Sequence, residues 1–188
     1  YQKSVYKMNY KSYADLSIDI LQEIQKVPSN IQLVVGVPRS GMVPAYMIGA
    51  QLNLPVTSLD AFLSDNYGVV GEREMRVNTK DLKSVLIVDD SIYTGSAINK
   101  AKTELSEKGL DIEYHFCAIY SSSKNIPHVD FYFKYLPHPR SFQWNYKNHF
   151  LNTKSCIDID GVLCVDPTDE QNDDGKNYSK FLLNAKPL

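Results

Sequence analysis

Cysteine is scarce in this chain: Cys117, Cys156 and Cys164 are all it has in 188 residues. An odd number at wide spacing frames no disulfide scaffold, and without a Cys-x-x-Cys pair there is no thiolate zinc motif. Cys117 and Cys156 lie in apolar runs and read as core residues, so a reducing cytoplasm is the expected compartment. An excess of one charge is also missing. The 20 Lys and Arg against 22 Asp and Glu leave a formal net charge of -2, and a nucleic-acid polyanion is not the expected partner. No apolar run approaches the roughly 20 residues of a membrane span, and the start lacks a basic segment followed by an apolar one. Repeats and low-complexity tracts are absent. His115, His128, His138 and His149 have no ligand spacing and read as structural or surface residues.

What is present is 43% hydrophobic and 22% charged, an ordinary balance for a globular domain with one core and a short appendage. Helix and strand patterns alternate, which predicts an α/β fold with a mostly parallel twisted sheet flanked by helices. Leu16, Ile20, Ile24 and Val27 share one face of a helix over 13–27, with Ser12 and Asp15 as a capping pair and Pro28 as a stop. Buried strands are expected over 31–37, 54–59 and 84–89, with further strands over 112–120, 129–135 and 155–160. Helices are expected over 42–52 and 94–108, the second ending at Gly109. Residues 62–82 show no period and read as a long functional or disordered loop, and 165–179 as polar loop.

The stretch Val85-Leu86-Ile87-Val88-Asp89-Asp90-Ser91-Ile92-Tyr93-Thr94-Gly95-Ser96 has a physical logic. A buried strand delivers two carboxylates to its carboxyl end, the edge where open α/β sheets bind ligands. A short loop then enters a helix, whose free N–H groups suit a phosphate. Gly95 permits close backbone approach, and Thr94 and Ser96 add hydroxyl donors. The element offers phosphate donors beside acceptors for sugar hydroxyls, which a ribose 5-phosphate needs together.

This segment resembles the phosphoribosyl-pyrophosphate motif of type I phosphoribosyltransferases: apolar residues, two acids, then a loop ending Thr-Gly-Ser. The resemblance implies that Asp89 and Asp90 take the ribose hydroxyls, act in catalysis and meet Mg²⁺, and that Ser91, Ile92, Tyr93, Thr94, Gly95 and Ser96 cradle the 5-phosphate. A Walker B strand also ends in acids. The nearest P-loop, Gly36 to Gly41, has Met42 and Val43 where Lys and Ser or Thr are required, which rejects that reading.

Gly36-Val37-Pro38-Arg39-Ser40-Gly41 resembles the family's pyrophosphate loop. By that likeness Arg39 pairs with pyrophosphate oxygens, the amides of Ser40 and Gly41 point the same way, and the Arg39–Ser40 bond is the candidate for a cis peptide. Residues 62–82 match the family's flexible loop, with Arg73 and Arg76 as the catalytic cations near the leaving pyrophosphate. Residues 136–150 match the hood over the accepting base, with Phe142 and Trp144 as base-stacking candidates.

Two departures stand out. Tyr93 occupies the place of an Asp in hypoxanthine-guanine enzymes and is a poor general base at neutral pH, which argues against a 6-oxopurine acceptor. No lysine-bearing loop of the orotate-enzyme kind is present either, so the acceptor is open. Then Cys156-Ile157-Asp158-Ile159-Asp160-Gly161 resembles the first motif of haloacid dehalogenase-type phosphohydrolases, where Asp158 would be the nucleophile and Asp160 the general acid/base. The 28 residues after Asp160 (188 minus 160) are fewer than the on the order of 100 such a domain needs. Either that half is cut short or the strand extends the first domain, and no phosphatase activity is expected.

The expectation is a phosphoribosyltransferase-like domain over 1–150 with its hood at 136–150, and a C-terminal extension over 151–188. Its function is transfer of ribose 5-phosphate from phosphoribosyl pyrophosphate to a nitrogenous base, with Mg²⁺ as cofactor. The alternatives are a non-catalytic nucleotide or phosphoribosyl-pyrophosphate binding module, or half of a bifunctional protein with a truncated phosphatase. Membrane and nucleic acid are not expected partners, and the resemblance implies a homodimer.

Overall fold

A computed structural model describes residues 8–65, 81–148, 160 and 162–186. The chain separates into two compact units, Tyr1–Lys147 and Asn148–Leu188.

The first unit is built on a five-stranded sheet. Its strands are β2 (Leu33–Gly36), β3 (Val56–Ser58), β4 (Ser84–Ile92), β5 (Glu113–Ser121) and β6 (Phe131–Tyr135), in the order β3-β2-β4-β5-β6. Every pairing in it is parallel. Parallel strands need crossovers that cover both sheet faces, so the central strand reads as an unbroken apolar run. β4 is that strand, and Ser84 to Asp90 are all buried. The expected α/β architecture is the one observed.

Strand periodicity sorts β4 between two cores. Leu86 and Val88 pack with Leu16, Ile20, Ala45, Ile48, Tyr120 and Phe142 on one face. Val85 and Ile87 pack with Leu33, Val35, Ile98, Ala101 and Leu105 on the other. Full burial of such an aliphatic side chain contributes about 1.5–3 kcal/mol relative to exposure. Helix α1 (Tyr13–Glu23) opens on a reciprocal capping box, Ser12 Oγ accepting from the Asp15 amide and Asp15 Oδ2 from the Ser12 amide. It is shorter than expected: Ile24–Lys26 is a tighter turn, because Pro28 holds Val27 extended at ψ 125°. Helix α2 (Met42–Leu52) covers the same face, and α4 (Ser96–Lys108) the other.

β2 and β4 are neighbours, while β3 lies on the far side of β2. The next strands are therefore added on opposite sides of β2 while all run the same way, and the carboxyl ends of β2 and β4 flank the switch point where open sheets take ligands. β2 stops pairing at Gly36, opposite Val88, but β4 runs on beside β5 to Ile92. Asp89 and Asp90 thus lie on the overhanging part of the strand, which continues to Ile92, three residues beyond the end expected at Asp89.

Four elements were not expected. β1 (Asn9–Lys11) pairs with β7 (Arg140–Phe142) in a small parallel sheet that anchors the hood segment. Helix α3 (Leu59–Leu63) is capped by Ser58, whose Oγ accepts from the Ala61 amide at 3.2 Å. In the second unit, α5 (Lys176–Asn184) occupies part of the stretch read as loop, tied at its start by Asp173, which accepts from the amides of Gly175, Asn177 and Tyr178. Of the strand expected over 155–160, only Asp160 is described; it forms an isolated bridge with Cys164. No helix among the described residues is long and apolar enough to cross a membrane.

Candidate functional site: the carboxyl edge between β2 and β4

The loop after β4 keeps its backbone donors open. Asp89 and residues 91–98 line a cleft of about 290 Å³. Among the described residues, no acceptor meets the amides of Tyr93, Thr94, Gly95, Ser96 or Ala97. The start of α4 leaves such donors unpaired by construction, and its dipole adds positive potential there. Thr94 Oγ1 and Ser96 Oγ lie 2.9 Å apart at the same place. Gly95 has φ 77°, and a Cβ there would stand 2.5 Å from the His128 ring. Both the backbone region and the space require glycine. Below the loop, the Ile92 carbonyl accepts from Arg140 Nη2 at 2.9 Å and from the Ser122 amide at 3.3 Å. Arg140 is a buried cation that sequence reasoning missed, since only the β1–β7 pairing brings it under the motif.

The two acids part company. Asp89 faces the cleft, 8% exposed, and its Oδ1 accepts from the Asp90 amide at 2.9 Å. Burial, then the neighbouring Asp90 charge, pushes its carboxyl well above the ordinary range. Asp90, 3% exposed, points to the opposite face. Its Oδ2 accepts from Trp144 Nε1 at 2.6 Å and from Asn145 Nδ2 at 3.1 Å.

The loop after β2 is held beside the end of β4. The Val37 amide bonds the Val88 carbonyl at 2.8 Å, which fixes this loop to β4. A Cβ at Gly41 would lie 2.6 Å from the carbonyl oxygens of both Val37 and Val88, so only glycine lets α2 start this close to the sheet. Arg39 is exposed, and its Nη2 donates to Asn145 Oδ1. The cis peptide is Pro38–Arg39, one bond before the expected Arg39–Ser40.

The hood corrects one expectation. Phe142 and Trp144 are 7% and 9% exposed, members of the core and not free platforms for a base. Their rings stack on each other at 5.0 Å, and Phe142 stacks on Tyr120 at 5.3 Å. Tyr120 in turn donates to Asp19, which also pairs with Lys11, so the faces of the stack are spent on the fold. Tyr93, by contrast, is exposed, 70% accessible and edge-on to His138 at 4.8 Å.

Arg73, Arg76 and Asp158 lie outside the described residues. Asp160 belongs to the second unit, where the Tyr178 hydroxyl donates to it at 2.8 Å. That unit holds a larger cleft, about 750 Å³, lined by Lys180 and Lys186 as well as Asp166 and Glu170. Its mixed charge makes it the weaker anion site. No group of three or more metal-ligating side chains occurs among the described residues. Magnesium fits the first site only in the manner usual for that ion, with one carboxylate, Asp89, and the remaining oxygens from substrate and water.

A parallel sheet with an amide-lined cleft at its switch point is the architecture of an α/β protein with its open edge at the carboxyl ends of the strands. Residues 6–149 match the phosphoribosyl transferase domain family, and the chain belongs to that family. The fold is similar to Helicobacter pylori xanthine-guanine-hypoxanthine phosphoribosyltransferase, with TM-score 0.58 and 18% identity over 78% of this chain and 99% of that one. It is also similar to a purine phosphoribosyltransferase from Pyrococcus horikoshii, with TM-score 0.53 and 20% identity over 73% and 93%. A Neisseria gonorrhoeae protein solved with bound ppGpp gives TM-score 0.52 and 15% identity over 77% and 95%.

Proposed function

We propose that this domain is a phosphoribosyltransferase that moves ribose 5-phosphate from phosphoribosyl pyrophosphate to a nitrogenous base, releasing pyrophosphate. The observation that carries it is the run of unpaired amides from Tyr93 to Ala97 beside Asp89, one strand away from Arg39. The 5-phosphate sits on those amides with the Thr94 and Ser96 hydroxyls. Asp89 accepts from a sugar hydroxyl. Arg39 and the amides of Ser40 and Gly41 hold the pyrophosphate. A base nitrogen attacks the anomeric carbon, the bond to pyrophosphate oxygen breaks with its electron pair, and the proton of the attacking nitrogen passes to solvent. Catalysis here is positioning plus stabilisation of charge on the ribose and the departing anion. Magnesium, when bound, neutralises pyrophosphate charge. Arg73 and Arg76 keep their place in the proposal as cations for the leaving group.

Tyr93 supports a second reading, a module of the same fold that binds a nucleotide or the donor without turnover. It stands exposed where an acid would serve a purine acceptor. Incubation with donor, Mg²⁺ and a panel of purine and pyrimidine bases separates the two. Pyrophosphate release with one base supports transfer; tight donor binding with no release for any base supports the module. The reading as half of a bifunctional protein with a truncated phosphatase rests on Asp158 and Asp160 alone, and its test is whether the parent reading frame encodes the remaining phosphatase motifs beyond Leu188.

A further inference from the structure

We propose that the adjacent acids divide their work: Asp89 alone meets the sugar, and Asp90 is a positioning residue acting through Asn145 on Arg39. This deepens the donor-site reading and rests on it. Successive strand residues point to opposite faces, and β4 remains paired with β5 through Ile92. Asp89 therefore turns to the cleft at the start of α4 and Asp90 to the hood side. There its carboxylate has two donors, Trp144 Nε1 at 2.6 Å and Asn145 Nδ2 at 3.1 Å. Asn145 in turn offers its Oδ1 to Arg39.

The chemistry of the chain fixes its direction. A carboxylate only accepts and a guanidinium only donates, so a side chain bridging them must carry one donor end and one acceptor end. Asn145 does. Asp90 captures the NH₂ end, which leaves the carbonyl end for Arg39. Trp144 cannot swing away to release Asp90, because its ring is stacked in the core against Phe142. Arg39 is exposed and would otherwise sample many rotamers. Holding it from below reduces the entropy lost when it meets pyrophosphate oxygens.

The test uses inorganic pyrophosphate and ribose 5-phosphate as separate probes, titrated calorimetrically into wild type, Asp89→Asn, Asp90→Asn and Asn145→Leu. With Asp90→Asn the bridging amide loses its acceptor-only partner and can flip, so Arg39 faces a donor. Asp90→Asn and Asn145→Leu are expected to weaken pyrophosphate on the order of tenfold and to leave ribose 5-phosphate within about twofold, with Asp89→Asn showing the reverse. Trp144 is the only tryptophan in the chain, so its emission reports the Asp90 contact: it shifts in Asp90→Asn and stays put when wild type takes up ribose 5-phosphate. A loss of ribose 5-phosphate affinity in Asp90→Asn equal to that in Asp89→Asn overturns the division of labour. So does a ribose 5-phosphate-induced Trp144 shift matching that variant. Wild type that binds neither probe overturns the donor-site reading beneath it. If Asp90→Asn does not fold, Asn145→Leu, which leaves the buried carboxylate its indole partner, carries the pyrophosphate comparison.

Discussion

The loop after β4 and the turn at Gln143–Asn148 sit beside neighbouring halves of one acidic pair, yet they are opposites. The loop holds its amides unpaired and is kept in shape by a glycine that nothing else can replace. In the turn, Trp144 and Asn145 spend their donors on Asp90. Unpaired donors cost stability and are tolerated where a ligand will meet them; paired and buried groups hold a shape. On the proposed division of labour, one side of the pair serves binding and the other position.

The largest effect should come from the positional side. Trp144→Ala removes a stacked, buried ring and strips Asp90 of a donor, and urea denaturation should show a loss of about 3–5 kcal/mol. Gly95→Ala should cost less of the fold, about 1–3 kcal/mol, from its φ of 77° and the His128 ring. Its ribose 5-phosphate affinity should fall far more than its stability, since the cradle is distorted where the phosphate sits. If the two variants lose fold and ligand in the same ratio, the contrast is broken.

Titration of Asp89 sharpens the comparison. Its folded carboxyl binds a proton more tightly than the unfolded chain does, because burial and Asp90 raise it. As pH rises from about 4 toward the raised value, the unfolded state ionises first and Asp89 lowers stability across that window. Asp89→Asn should therefore be more stable than wild type at neutral pH, with the gain fading near pH 4, when melting temperatures are compared. Donor affinity in Mg²⁺ should move the other way and strengthen with rising pH, because cation and sugar hydroxyl both favour the ionised acid. Smallest of all, Tyr93→Ala should change stability by about 0.5 kcal/mol or less, its ring being 70% exposed. A larger loss would mean that the edge contact with His138 belongs to the positional side.

The α/β class, the places of the main strands along the chain and the motif at 85–96 could be read from pattern alone. Apolar runs flanked by capped amphipathic helices carry their meaning locally, and α2 was placed at its observed bounds. Elements of only a few residues escaped: α3 is too short to show a period, and β1 draws its hydrogen bonds from β7, far along the chain. Arg140 escaped for the same reason. Phe142 and Trp144 were misread because aromatics in a hood-like segment look alike whether they face a ligand or a core.

Local pattern was enough to put two acids at the end of a buried strand and a glycine-bearing loop after them. It could not tell that the strand runs on to Ile92, nor that Asp90 meets Trp144 across 54 positions of sequence. Alternation sends adjacent side chains to opposite faces, but what waits on each face is a matter of which distant segments pack there. Covalent neighbours share a motif; their separate environments are created only when the sheet closes its two cores around them.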